Sequence, residues 1–222
     1  MKFIVEWDGV IADVAPVWYE AHRRVAAEVG WSKLDQATFW RLTRTKGAEA
    51  NILPGAKPMK IKNYHELFHS QIETDELIAL AQAHECIREP LRRLVHKGDC
   101  LCVTAGLNGA ARSAWLAEAS VSDSAIAMGR LSREPGERIQ DLRNLAGSDR
   151  RTVVVAATDQ VVRAGRSAEL LTVGISSGPC SQKRLHQAGA DLVYASLADL
   201  AACVASGGKD LLDAGLLPEP AS

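Results

Sequence analysis

The chain has 222 residues, 47% hydrophobic and 24% charged, with 26 basic against 27 acidic side chains and a formal charge of −1. That size and composition suit one well-buried domain plus a smaller insertion and exclude a disordered chain. The charge balance provides no broad field for nucleic acid or an anionic membrane surface, so any partner must be recognised locally.

The first apolar run, 2–5, meets a charge within three residues, too soon for a signal-peptide core or a bilayer span, and the chain is expected to be cytoplasmic. Cysteines at 86, 100, 102, 180 and 203 form no C-x-x-C pair and are read as reduced, with Cys100 and Cys102 on one face of a strand. Strand-length apolar runs recur at 100–103, 125–128, 152–156, 171–175 and 192–194. Helical spacing fills 109–116, 136–145, 161–170, 181–188 and 197–204. Strands alternating with helices predict an α/β fold, a doubly wound parallel sheet covered on both faces.

One interval breaks that rhythm. Helix patterns occupy 14–29, 35–43, 63–72 and 74–84, with a turn at Leu53-Pro54-Gly55-Ala56-Lys57-Pro58 and no convincing strand. This predicts an all-helical cap over 14–85 inserted into a core of 1–13 and 86–222. Trp18, Trp31, Phe39 and Trp40 are expected to form the insertion's own small core.

Ligands of doubly wound sheets bind beyond the carboxyl ends of the strands. Four segments lie there. Glu6-Trp7-Asp8-Gly9-Val10 places two carboxylates two residues apart, Thr104-Ala105-Gly106-Leu107-Asn108 offers a hydroxyl and main-chain N–H groups at a helix start, Arg133-Glu134-Pro135-Gly136 offers a cation, and Ala157-Thr158-Asp159 follows the fourth strand.

With Asp8-Gly9-Val10, Thr104, Arg133 and Gly189-Ala190-Asp191 in this order, the chain resembles the haloacid dehalogenase superfamily, in the branch with a helical cap after the first strand. The resemblance runs nearly end to end and implies a Rossmann-like core and chemistry on phosphate monoesters. It implies a nucleophile at position 6, an acid/base at Asp8, phosphate contacts from Thr104, Ala105 and Arg133, and Mg²⁺ held with an acid of the fourth segment. The chain departs from the pattern by carrying Glu6 for the nucleophilic aspartate and Ala157 and Val161 at the metal-acid positions. Asp8 and Asp159 are then the candidate metal groups, and Arg44 and Lys46 the candidate cap contacts to a substrate.

A lengthened nucleophile without distant acids predicts impaired Mg²⁺-dependent phosphatase chemistry in a chain that binds a small anionic or phosphorylated ligand or a protein partner. The alternatives are an active phosphatase using Glu6 and Asp8 with Asp159 supplying the ion, and a metal-independent acid/base enzyme in the same cleft. His65-Glu66-Leu67-Phe68-His69 also matches the H-E-x-x-H zinc pattern, with Glu73 or Glu89 as nominal third ligand, although Tyr64, Leu67, Phe68 and Ile72 explain that helix as a packing element.

Overall fold

The computed structural model describes residues 1–46, 52–53, 55–85, 87–119, 127–147 and 151–207. Cys86, Pro54, residues 125–126 of one expected strand, the side chain of Lys46 and the tail beyond 207 lie outside the described residues. The first half comprises β1 (Lys2–Glu6), β2 (Ala12–Asp13), α1 (Ala15–Glu28), α2 (Gln36–Lys46), α3 (Pro58–Gln71), α4 (Asp75–Ile78), β3 (Gln82–Ala83) and α5 (Arg88–Lys97). The second half comprises β4 (Asp99–Thr104), α6 (Gly109–Glu118), β5 (Ala127–Arg130), α7 (Pro135–Ala146), β6 (Thr152–Ala156), α8 (Asp159–Ser167), β7 (Leu171–Ile175), α9 (Gln182–Ala188), β8 (Leu192–Tyr194) and α10 (Leu197–Ser206).

Six strands form one parallel sheet in the order β5-β4-β1-β6-β7-β8, the α/β doubly wound class. Period-two alternation divides the side chains between its faces. Phe3, Val5, Cys100, Cys102, Val153 and Val155 pack with Leu91 and Leu94 of α5, Trp115 of α6 and Leu200 of α10. Ile4, Val103, Val154 and Ala156 face the other way, onto Leu142 of α7, Val161 and Val162 of α8 and Leu185 of α9. Each such aliphatic side chain contributes about 1.5–3 kcal/mol of burial. The helix starts are sealed by side chains, with Asn108, Thr158 and Ser181 accepting from main-chain N–H groups of α6, α8 and α9, and Ser196 with Asp199 forming a capping box on α10.

Helices α1 to α4 lie between β1 and β4, together with β2, β3 and α5. The segment 74–84, expected as one helix, is instead a single turn, α4, followed by a strand. Its C-terminal part takes its hydrogen bonds from a distant stretch, since Ala12 and Asp13 of β2 pair antiparallel with Ala83 and Gln82 of β3, and His84 N donates to the Ile11 carbonyl at 3.3 Å. Helix α5, directly before β4, was not anticipated as a separate element. Helix α8 begins earlier than its apolar pattern because Thr158 caps it, and ends at Ser167, ahead of Glu169 in the left-handed region at φ 61°.

The helical insertion is centred on His22, fully buried and stacked on Phe39 at 4.7 Å between ring centroids. Leu34 N donates to its Nε2 at 3.1 Å, so Nδ1 carries the proton and donates to the Tyr64 hydroxyl at 2.8 Å. Burial pushes His22 down to about 4. Between an unfolded value near 6.5 and this folded value the unfolded chain binds a proton that the folded chain does not, so this stability is present above pH 6.5 and is lost as pH falls towards 4. Wild type should therefore lose on the order of 2 kcal/mol more stability than His22→Gln between pH 7 and 4, read from urea unfolding at each pH.

Candidate functional site

The carboxyl ends of β1, β4 and β6 meet the helical insertion across a cavity of about 520 Å³. Its core wall includes Glu6, Asp8, Ala105, Gly106, Arg112, Arg133, Thr158 and Asp159, and its opposite wall includes Trp18, Thr43, His65, Phe68, Ile72 and Glu73.

Glu6 ends β1 and is 2% exposed. Its Oε2 accepts hydrogen bonds from Ala157 N at 2.8 Å and Thr158 N at 3.0 Å, and its Oε1 accepts from the Thr158 hydroxyl at 2.6 Å. The carboxylate is thus turned into the start of α8. Burial, with the nearby Asp8 charge, pushes it up to about 8 against those three hydrogen bonds. Asp8 engages the opposite neighbour: Thr104 Oγ1 donates to its Oδ2 at 2.9 Å, and Arg112 Nη2 lies 3.7 Å from its Oδ1. Burial lifts Asp8 above the ordinary carboxylate range despite the guanidinium and that hydrogen bond.

Close backbone approach sets this geometry. Gly9, at φ 81°, lies where a Cβ would meet Pro179 Cδ at 2.4 Å and Gly178 Cα at 2.9 Å, so the turn carrying Asp8 lies flush against the loop after β7. A Cβ on Gly106 would meet the Arg112 guanidinium at 2.4 Å, so the loop after β4 closes directly over that charge.

Two of the expected phosphate contacts, Thr104 and Arg133, already hold partners, and Ala105 lines the cavity. Thr104 Oγ1 donates to Asp8 and accepts from Gly106 N at 2.9 Å, the Ala105 carbonyl accepts from Arg133 Nε at 3.3 Å, and Arg133 Nη2 donates to Glu73 Oε1 at 2.6 Å. Arg138 of α7 holds the Arg133 loop by donating to the Ser132 and Arg133 carbonyls. Asp159 pairs with Arg184 Nη2 at 2.7 Å. Arg44 donates to the Ser176 carbonyl at 2.6 Å, anchoring α2 to the loop after β7.

Two residues that the motifs do not mark, Arg112 and Arg184, and one that they offer only as a nominal zinc ligand, Glu73, dominate the charge here. Arg112, 2% exposed, donates through Nη1 to Glu73 Oε2 at 2.8 Å, and its face lies over Trp7 at 5.0 Å. Burial raises Glu73, but Arg112, Asn108 N and Arg133 outweigh it and hold the carboxyl below its usual range.

The residues present do not fit a magnesium ion. Both Glu6 oxygens accept hydrogen bonds, Asp159 is ion-paired, Ala157 and Val161 are apolar, and among the described residues no three His, Cys, Asp or Glu groups are placed to share an ion. The zinc pattern is likewise incomplete: Glu73 is committed to two arginines and Glu89 to Arg92 and Arg93 on α5. Two of the lining residues, Thr43 and His65, each keep a buried atom, Oγ1 and Nε2, without a hydrogen-bond partner.

No protein-family model and no curated protein matches the chain. Solved structures do. A haloacid dehalogenase-like family hydrolase from Streptococcus pneumoniae superposes with TM-score 0.69 at 14% identity, over 91% of this chain and 97% of that one. A hydrolase from Pseudomonas syringae gives 0.66 at 19%, over 93% and 99%, and a predicted phosphatase from Clostridium acetobutylicum 0.69 at 14%, over 92% and 98%. The chain therefore has the haloacid dehalogenase-like fold, as its motif order implied. Among the described residues no helix is long and apolar enough to cross a membrane.

Arg112→Met would remove the buried cation shared by the Glu73 and Asp8 carboxylates. Its expected cost is about 3–5 kcal/mol in urea unfolding, with Glu73→Gln in the same chain recovering part of it, a coupling that a double-mutant cycle reads.

Proposed function

We propose that this chain is a haloacid-dehalogenase-fold binder of a small anionic, phosphorylated or carboxylated ligand, in which magnesium-dependent phosphoryl transfer is impaired. The observation that carries this reading is the state of Glu6. An attacking carboxylate must be ionised, free on one oxygen and about 3–3.5 Å from phosphorus. Glu6 is longer than aspartate, is bound on both oxygens by Ala157 N, Thr158 N and the Thr158 hydroxyl, and is held above the ordinary carboxylate range by burial beside Asp8. An ionised Glu6 carboxylate and a phosphate dianion would also repel each other where the donor set does not fit a divalent ion.

Binding is a different matter. A cavity of about 520 Å³ is the size of a small-molecule site. Arg112, Arg133 and Arg184 line it, and Trp18 and Phe68 supply an apolar wall.

The test is p-nitrophenyl phosphate hydrolysis with Mg²⁺, beside calorimetric titration with inorganic phosphate. Expected are a rate within about twofold of Glu6→Gln and phosphate binding unchanged by chelator. Magnesium-dependent turnover that Glu6→Gln abolishes would overturn the proposal.

A further inference from the structure

Three donors from the core converge on one carboxylate that arrives from the helical insertion. Glu73 follows α3, and its Oε2 accepts from Arg112 Nη1 at 2.8 Å and from Asn108 N at 3.0 Å, while its Oε1 accepts from Arg133 Nη2 at 2.6 Å. Asn108 is the residue that caps the ten-residue helix α6, so its N–H lies at the positive end of that helix. Arg112 is buried and its Nε has no partner. Two guanidinium groups bridging the two oxygens of one carboxylate, with a main-chain N–H on one of them, is the arrangement by which proteins hold a free oxyanion.

We infer that Asn108 N–H, Arg112 and Arg133 form an oxyanion seat, that Glu73 is its intramolecular occupant, and that the phosphate or carboxylate group of a small ligand takes this seat by displacing Glu73. The inference rests on the anion-binding reading above. With Glu73 in place the four charges Asp8, Glu73, Arg112 and Arg133 balance, leaving this cluster no net charge to attract an anion. With Glu73 withdrawn, the two guanidinium groups and Asp8 carry one net positive charge, at the cavity that Glu73, Arg112 and Arg133 all line.

Exchange also has a mechanical side. Asn108 Nδ2 donates to the Glu73 carbonyl at 3.0 Å and to Asp75 Oδ1 at 2.5 Å, so the seat's occupant and the first turn of α4 are tied to one side chain. A ligand that expels the Glu73 carboxylate therefore loosens the contact of the α3–α4 junction with α6. Binding in the seat and closure by Glu73 are mutually exclusive, and the apparent affinity of the wild-type chain is lowered by the fraction of molecules in which Glu73 is seated.

The experiment titrates the full-length wild type, Glu73→Gln and Glu73→Gln/Arg133→Met with inorganic phosphate and, separately, acetate by calorimetry, with urea unfolding to establish that each is folded. Glu73→Gln should bind phosphate at least tenfold more tightly than wild type, and Arg133→Met should abolish the gain. The ratio of phosphate to acetate affinity identifies which oxyanion the seat prefers. Should Glu73→Gln fail to fold, phosphate added to wild type must still perturb the Asn108 amide resonance. Phosphate binding of equal strength in wild type and a folded Glu73→Gln would overturn the seat while leaving the anion-binding reading standing. No binding of either anion to any folded variant, with no change at Asn108, would overturn both.

Discussion

The end of β1 is governed by how a buried carboxylate finds its donors. A glutamate side chain placed there, in a layer that excludes water, has to collect hydrogen bonds, and the first N–H groups after β6 supply them. That one choice separates the two acids of the first loop: Glu6 faces the start of α8, Asp8 faces Thr104 and Arg112. The rest of the rim follows. With Glu6 directed away, the positive charge of Arg112 and Arg133 is balanced by Glu73, from across the cavity.

The sheet was legible because its signal is local. Three expected strands, 152–156, 171–175 and 192–194, coincide with β6, β7 and β8, since each is a short apolar run bounded by residues that cannot continue it and buried between helical layers. The expected helix over 74–84 failed for the opposite reason: the strand within it exists only because Ala12 and Asp13, about seventy positions earlier, take up its hydrogen bonds. Periodicity reports the face of an element, and says nothing about what that face meets.

The same boundary divides the site. Glu6, Asp8, Thr104 and Arg133 were visible from their places after strands, yet their partners were not. Glu73 read only as a nominal zinc ligand, because a carboxylate in a helix-ending turn carries no mark of the guanidinium groups it will meet. Ala157 contributes through its main-chain N–H, a donor that every residue except proline possesses and that no motif can reveal.

The two-residue strands β2 and β3 leave their mark on the whole architecture. The helices between them connect to the sheet through this slender ribbon, and its inner strand is spliced into the loop of Asp8: Ala12 bridges Asp8, its carbonyl accepts from Gly9 N at 2.9 Å, and its N–H donates to the Trp7 carbonyl at 3.0 Å. With its N–H and carbonyl spent on Trp7 and Gly9, Ala12 holds the ribbon in direct main-chain contact with the loop that carries Asp8, so a substitution that breaks the ribbon also removes two hydrogen bonds from beside that acid.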